Sequence, residues 1–293
     1  NYALQKSSFE IRKKLLFQSL STAYYEYQTL HQKAKLYGTL DSIYRKFAHA
    51  ADRRFELGET NYLEKVTAQA KQRQIANTYA KVQQGIIITY AQIISLVQTG
   101  DTLDIAIERP EKLSISNAVG LMETETAFLD QRQELSNAEK SLEENRLLPD
   151  LDLEYFQGTN KGLGTSLYGV QLGVRIPLLF FGKSSKVRSA KIQTKITAME
   201  NTEISISTNQ RYKALLGQLD QLDKELSYYE DEGGLLSDQI LKAASGNFMN
   251  GEIDFFQYIQ SLENAYDIQN SYLDVLNQYN QTVIAINYLT ITL

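Results

Sequence analysis

The stretch Arg54-Phe55-Glu56-Leu57-Gly58-Glu59 recurs, degraded but legible, as Asn247-Phe248-Met249-Asn250-Gly251-Glu252. The register then holds without a gap. Val66 falls on Ile259, Ile75 on Ile268, Asn77 on Asn270 and Tyr79 on Tyr272. Val82 likewise falls on Val275, Thr89 on Thr282, Ile93 on Ile286 and Leu96 on Leu289. A shared apolar rhythm over about forty residues marks a duplicated unit, and a duplication determines the architecture before any local preference does. The unit reads as helix, glycine turn, helix.

Composition agrees with long helices. Only 3 Pro and 16 Gly occur in 293 residues, and both residue types interrupt helices. Cys is absent, which removes disulfides, thiolate metal sites and cysteine nucleophiles together. The net charge of −5 offers no basic stripe for a nucleic-acid partner. Residues 1–19 carry Lys6, Arg12, Lys13 and Lys14 without a long apolar core, so they do not read as a signal peptide. No apolar run approaches the roughly 18 residues of a membrane helix. A membrane role would therefore need strands or a partner.

Along the chain, 9–57 reads as one amphipathic helix stopped by Gly58, with Glu59, Thr60 and Asn61 able to cap a second helix over 62–97. An irregular connector over 102–114 contains Pro110, and a Glu-rich helix spans 116–147. After Pro149 the period changes to two. Leu151, Leu153 and Tyr155 alternate with Asp152, Glu154 and Phe156. Beyond a Gly-rich loop, Tyr168, Val170, Leu172, Val174 and Ile176 alternate with Gly169, Gln171, Gly173 and Arg175. This is a β-hairpin over 150–177, closed by Pro177. Alternation alone fits a soluble sheet equally well. Strands of about ten residues with one small-or-charged face favour a membrane barrel wall, with the Tyr168–Ile176 stripe toward lipid. A helix then spans 184–232, weakened at Gly233-Gly234, and continues to Asn250. Gly251 turns it into a last helix over 253–288.

Three stretches carry a resemblance. They are Arg146-Leu147-Leu148-Pro149-Asp150-Leu151, then Gly169 to Leu178 with Phe181-Gly182-Lys183, and the repeated Arg/Asn-Phe-x-x-Gly-Glu turn. In this order the chain resembles the TolC-like outer-membrane factor family. That resemblance implies a mainly α fold of very long antiparallel helical hairpins, the staves of an α-barrel. It also implies one β-hairpin contributing to an outer-membrane barrel, and an internal repeat. Repeat one would cover 1–111 and repeat two 112–293, with the β-hairpin at 150–177 and the long helical hairpin at 184–290. The family has two strand hairpins per chain, and the partner of 150–177 would lie before Asn1; the expectation is that this part of repeat one is missing from the sequence.

The resemblance further implies a passive exit duct in a tripartite efflux system. Its partners would be two further copies in a homotrimer when complete, a periplasmic adaptor (membrane fusion protein), an inner-membrane resistance-nodulation-division (RND) transporter and outer-membrane lipid. Localisation would be the outer membrane of a Gram-negative bacterium, with a periplasmic extension. No cofactor, metal or enzymatic activity is implied. Gly158-Thr159-Asn160 with Ser166-Leu167-Tyr168-Gly169, and 276–281, resemble the version attached to heavy-metal exporters, sometimes fused behind the pump. A fusion would explain the missing signal peptide; a trimmed chain would look the same.

By position, the adaptor-facing tip residues are Phe55, Gly58, Glu59 and Thr60 in repeat one and Phe248, Gly251, Glu252 and Asp254 in repeat two. Family members often carry acidic residues just inside the last helix, at the constriction. Here those positions hold Gln257 and Gln260, with Glu64 as the corresponding acid of repeat one and Asp254 or Glu252 as substitutes one turn earlier. The expected gate closes through hydrogen bonds and packing rather than a dense carboxylate ring. His31 and His49 lie too far apart on one helix to share a metal ion. Gly162-Leu163-Gly164 precedes another strand, not a helix, so it is not a phosphate loop. Asp52, Arg53 and Arg54 read as ion-pairing residues, and the Glu run of 123–144 as a solvated face. The competing reading is a non-conducting periplasmic coiled-coil scaffold.

Overall fold

The computed structural model describes residues 2–100, 102–116, 123–160, 162, 164–175 and 180–291. The chain is mainly helical with one two-stranded antiparallel sheet. Helix α1 (Tyr2–Glu56) has 55 residues, roughly 80 Å at the standard rise. It begins earlier than the pattern predicts and ends at the glycine turn. Helix α2 (Tyr62–Val97) matches its expected bounds, because Asn61 caps one end and Gln98, in the left-handed conformation, closes the other. Helix α3 (Glu123–Asn145) starts later than 116; the intervening 117–122 lie outside the described residues. The hairpin follows as β1 (Asp150–Asn160) and β2 (Thr165–Arg175), then α4 (Phe180–Tyr228), α5 (Gly234–Met249) and α6 (Phe255–Asn287). Ile176 and Pro177, expected to end the hairpin, lie outside the described residues.

Between α4 and α5 the backbone does not break at the Gly pair. It forms a π-helical turn over Tyr229–Gly233 and continues. A Cβ on Gly233 would come within 3.0 Å of the Tyr229 ring, four residues back, so the bare backbone leaves room for that ring, with Ile268 of α6 at an ordinary contact distance of 3.4 Å. Just beyond, the fully buried Ser237 donates a hydrogen bond to the Ala265 carbonyl (3.0 Å) and accepts one from Gln269 (2.9 Å).

Two compact units divide the chain, one of 1–11, 122–209 and 291–293, the other of 12–121 and 210–290. In the larger unit the apolar residues form three clusters. Leu40, Tyr44 and Ala51 of α1 pack with Ala68 of α2, Ala244 of α5 and Phe255, Ile259 and Leu262 of α6. Leu219, Leu222 and Leu226 of α4 meet Val275, Leu276, Val283 and Ile286 of α6. Ala23 and Tyr27 of α1 meet Ile93 of α2. The paired positions of the repeat therefore differ in burial: Thr89 and Thr282, Ile93 and Ile286 are all buried, whereas Val66 is exposed where Ile259 is buried. Helix α6 buries most of one side against its neighbours, whereas α2 buries only Ala68, Thr89 and Ile93.

The smaller unit relies on polar helix contacts. Ser7 donates to Gln131 (2.7 Å), Asn201 to the Leu129 carbonyl (2.9 Å), and Arg132 pairs with Glu200. The Glu run is not uniformly solvated as predicted. Glu125 is buried, and Glu143 and Glu144 pair with Arg146 (2.5 Å) and Lys191 (3.3 Å). No helix among the described residues is long and apolar enough to cross a membrane.

Candidate functional site

Both glycine turns are built alike. Gly58 has φ +74° and Gly251 φ +73°, a conformation that costs L-residues with a Cβ about 1–2 kcal/mol. The amides of Gly58 and Glu59 donate back to the carbonyls of Phe55 (3.0 Å) and Arg54 (2.8 Å). Those of Gly251 and Glu252 donate to Phe248 (3.1 Å) and Asn247 (2.8 Å), the same pair of bonds one repeat later. This doubly bonded left-handed cap satisfies carbonyls that a helix end leaves orphaned. The following helix is capped in each case. The Asn61 side chain accepts from the Glu64 amide (2.9 Å), and the Asp254 side chain from the Gln257 amide (2.8 Å).

Beyond the caps the turns diverge. Turn one presents exposed Leu57, Tyr62 and Leu63, with the Phe55 ring 5.8 Å from Tyr62 and the Lys65 ammonium 5.1 Å above Phe55. Arg54 pairs with Glu64 (2.9 Å) and Lys65 with Asp52 (3.2 Å), in line with the ion-pairing expected of 52–54. Turn two carries exposed Met249 and Phe256 but joins α1 through aromatic rings. Phe47 sits 5.9 Å from Phe248, 5.6 Å from Phe255 and 5.1 Å from Tyr258, and Phe248 stacks on Tyr258 at 4.6 Å.

The constriction candidates have local commitments. Glu64 holds Arg54 with one carboxylate oxygen and accepts from the Thr60 hydroxyl with the other. Gln257 returns its side-chain oxygen to the Asp254 amide (3.0 Å), completing a capping box, so Asp254 and Gln257 bind each other. Gln260 is exposed. With Asn247, Ser261 and Asn264 it lines a groove of about 470 Å³ that has no carboxylate or cationic side chain in its lining among the described residues.

In the β-hairpin, register decides which side chains share a face. Leu151 pairs with Val174, Leu153 with Leu172 and Tyr155 with Val170, so one face is apolar across both strands. Leu172 is 73% exposed and Val170 68% exposed, and Leu151, Leu153, Tyr155, Tyr168 and Val174 are exposed too. The opposite face sets Asp152 opposite Gly173, Glu154 opposite Gln171 and Phe156 opposite Gly169, with Arg175 pairing with Asp152 at 3.3 Å. Gly169 lies under the Phe156 ring, which any Cβ there would strike.

The connector 102–116 holds residues that sequence reasoning missed. It has no regular structure, yet amide side chains of the helices grip its backbone. Buried Gln28 donates to the Ala106 carbonyl (2.6 Å) and accepts from the Glu108 amide (2.8 Å). Buried Asn280 donates to Glu111 (2.8 Å) and accepts from Leu113 (2.9 Å). Asn287 does the same to Ser114 (3.2 Å) and Ser116 (2.7 Å), and the Tyr90 hydroxyl bridges both backbone groups of Leu103. Lys112 adds an ion pair to Asp223 (2.7 Å). A strap thus fastens α1, α2, α4 and α6 together. The only earlier signal was the 276–281 wording that contains Asn280.

Among the described residues no group of three His, Cys, Asp or Glu could hold a metal ion. His31 packs edge-on to Tyr27 at 4.4 Å, and burial, then Lys35, push its pKa down.

No protein-family profile and no curated protein matches the sequence. Solved structures do. A membrane protein from Pseudomonas aeruginosa superposes with a TM-score of 0.83 at 14% identity, over 98% of this chain and 70% of that one. The Campylobacter jejuni CmeC outer membrane channel gives 0.83 at 12% identity, over 99% of this chain and 66% of its own. The outer membrane protein VceC from Vibrio cholerae gives 0.83 at 14%, over 98% and 72%. The chain therefore spans about two thirds of the length of the CmeC channel while matching it almost end to end. At these identities the likeness establishes architecture: the chain has the fold of outer-membrane channel proteins, long helices with a β-hairpin.

Proposed function

We propose that the chain supplies part of the wall of a passive exit duct in the outer membrane of a Gram-negative bacterium. The helical hairpins would form its periplasmic extension. The observation that carries this reading is the apolar face of the hairpin, exposed across both strands in a channel fold. A lone two-stranded hairpin is marginal in water, and a contiguous apolar face marks contact with lipid or a partner. In this reading 1–111 and 112–293 are two copies of one stave, and complete chains form a homotrimer. A periplasmic adaptor docks at the two tip turns, an inner-membrane RND pump supplies the energy, and the chain itself performs no chemistry. Heavy-metal cations are the substrate class to try first, on the resemblance of 158–169 and 276–281 alone.

The gate, in the same reading, closes through amides and aromatic packing. The carboxylate-free groove at Gln260 and the Phe47 cluster support it. Gln260→Asp should introduce a block by trivalent cations in planar bilayers that the parent channel lacks; an unchanged current sinks this gate.

The absence of Cys allows single reporters. In proteoliposomes, Leu172→Cys should react with a lipid-soluble maleimide and resist an impermeant one, while Gln171→Cys takes the impermeant reagent. Equal aqueous labelling of both, with no detergent requirement and no conductance, would instead identify a scaffold.

A further inference from the structure

Upstream of the glycine turns the repeat can be followed along α1 in one copy and along α5 and α4 in the other. Between Gly251 and the π-helical turn, the offset that joins Gly58 to Gly251 still holds. It matches Ala51 to Ala244, Tyr44 to Ser237 and Leu40 to Gly233, and all six are buried. On the other side of the turn that offset fails. It would set Tyr212, Leu215, Leu219, Leu222 and Leu226, which cluster with α6, against Ser19, Thr22, Glu26, Thr29 and Lys33. An offset one residue shorter sets the same five against Leu20, Ala23, Tyr27, Leu30 and Ala34, and Tyr229 against Tyr37. Each match is then apolar or aromatic. Repeat two therefore has one residue more than repeat one, and the surplus lies between Tyr229 and Gly233, the span of the π-helical turn. At the matching place, Tyr37 to Leu40, α1 is uninterrupted α-helix.

An α-helix rotates by about 100° per residue, so a surplus residue carried in α-helix would swing the buried stripe of α5 away from α6. A π-helical turn takes up the residue in one wide turn and leaves both flanks in phase; such turns are rare and recur at functional sites. The lateral ties change at the same place. The connector holds α4 through Lys112 and Asp223 (2.7 Å) and α6 through Asn280 and Asn287. Among the described residues it makes no hydrogen bond or ion pair to α5, which Ser237 fastens to Ala265 and Gln269 of α6 instead. Glu230, Asp231 and Glu232 face solvent. On another flank of the turn, Arg109, Tyr229, Gly234, Ile268 and Tyr272 line an open cavity of about 500 Å³, which leaves room for movement. We infer that the surplus residue makes a joint, at which α5, with turn two and the start of α6, bends against a strapped α4. Helix α1 lacks that freedom at 37–40. The joint holds whether or not the chain conducts.

The test removes the surplus. Deleting Asp231 from the full chain should return 229–233 to α-helix with both flanks in phase. The chain then keeps its helical circular dichroism and melts at or above the parent temperature. Deleting Thr39, at the matching place in the copy without a surplus, should rotate one part of α1 off its partners and lower the melting temperature by at least about 10 °C. Deletion of Glu230 or of Glu232 leaves the same phase as deletion of Asp231 and should behave like it, which separates the residue count from any one side chain. Bending is read from spin labels on Gln218→Cys and Ala243→Cys, exposed positions on either side of the turn in a chain with no other Cys. The parent should give a distance distribution about twofold broader than the Asp231-deleted chain, as a hinge that samples several angles requires. Melting of all three deletions as low as that of the Thr39 deletion shows that no residue is surplus and overturns the inference. Intact folding with equal distance widths in parent and deleted chains overturns the joint, since the turn would then hold its insertion rigidly.

Discussion

Asn280 shows how much a single amide can organise. Its side chain uses one donor and one acceptor here, the same pair that a peptide unit offers, and it meets Glu111 and Leu113 as a neighbouring strand would. It is fully buried, and removing it deletes both bonds to the connector backbone. Asn280→Ala should therefore lower stability by about 2 kcal/mol, read from urea unfolding. Asn280→Asp keeps the acceptor for the Leu113 amide but sets a carboxylate against the Glu111 carbonyl. It should fall between parent and alanine variant only at acidic pH, where the carboxyl can donate. The turn glycines work differently. Nothing lies within 4 Å of a Cβ at Gly58 or Gly251, so only the backbone angle selects glycine. Gly251→Ala should cost about 1 kcal/mol and Gly251→Asn less, measured by thermal unfolding.

At the scale of elements, what could be read in the sequence is what is decided locally. Caps, glycine stops and alternation are neighbour effects, so α2, both turns and the hairpin register follow from the residues that make them. The strap could not be read this way. Gln28, Asn280 and Asn287 are ordinary helix amides until distant backbone arrives opposite them. At the π-helical turn Gly233-Gly234 reads as a weak point, but the Tyr229 ring occupies the space that a Cβ on Gly233 would need. The candidate gate residues were half legible. The amide chemistry of Gln257 was evident, while its tie to Asp254 emerged only with the capping box. Phe47 offers the sharpest element-scale test, since it is the α1 residue around which the rings of turn two gather. Phe47→Ala should remove roughly 2 kcal/mol of aromatic and burial stabilisation. Hydrogen exchange should then accelerate at the start of α6 and leave the strap unchanged; uniform acceleration would mean that turn two is not separately held.

For the whole molecule, the two copies of the repeat have unequal surroundings. Helix α6 is the more buried of the two but leaves Phe256, Gln257, Gln260, Asn264, Asp267 and Gln278 exposed, while its counterpart α2 buries only Ala68, Thr89 and Ile93 and leaves Ile87 61% and Ile88 58% exposed. The duplication explains this without further assumptions. Two rods of one pattern sit in different surroundings, and within one chain the second buries much more of its surface than the first. In the proposed trimer the apolar surface of the first rod would meet the exposed face of the second rod of the next copy. Ile87→Glu with Ile88→Glu should leave helical circular dichroism and the unfolding midpoint nearly unchanged, because exposed positions contribute little to a single chain. The same double substitution should abolish cross-linked oligomers in detergent, since it places charges in an interface that loses its apolar contact. A loss of folding with oligomer retained would show that this face is internal to the chain after all. Intact oligomers with intact folding would remove α2 from the contact between copies and with it the stave-by-stave arrangement.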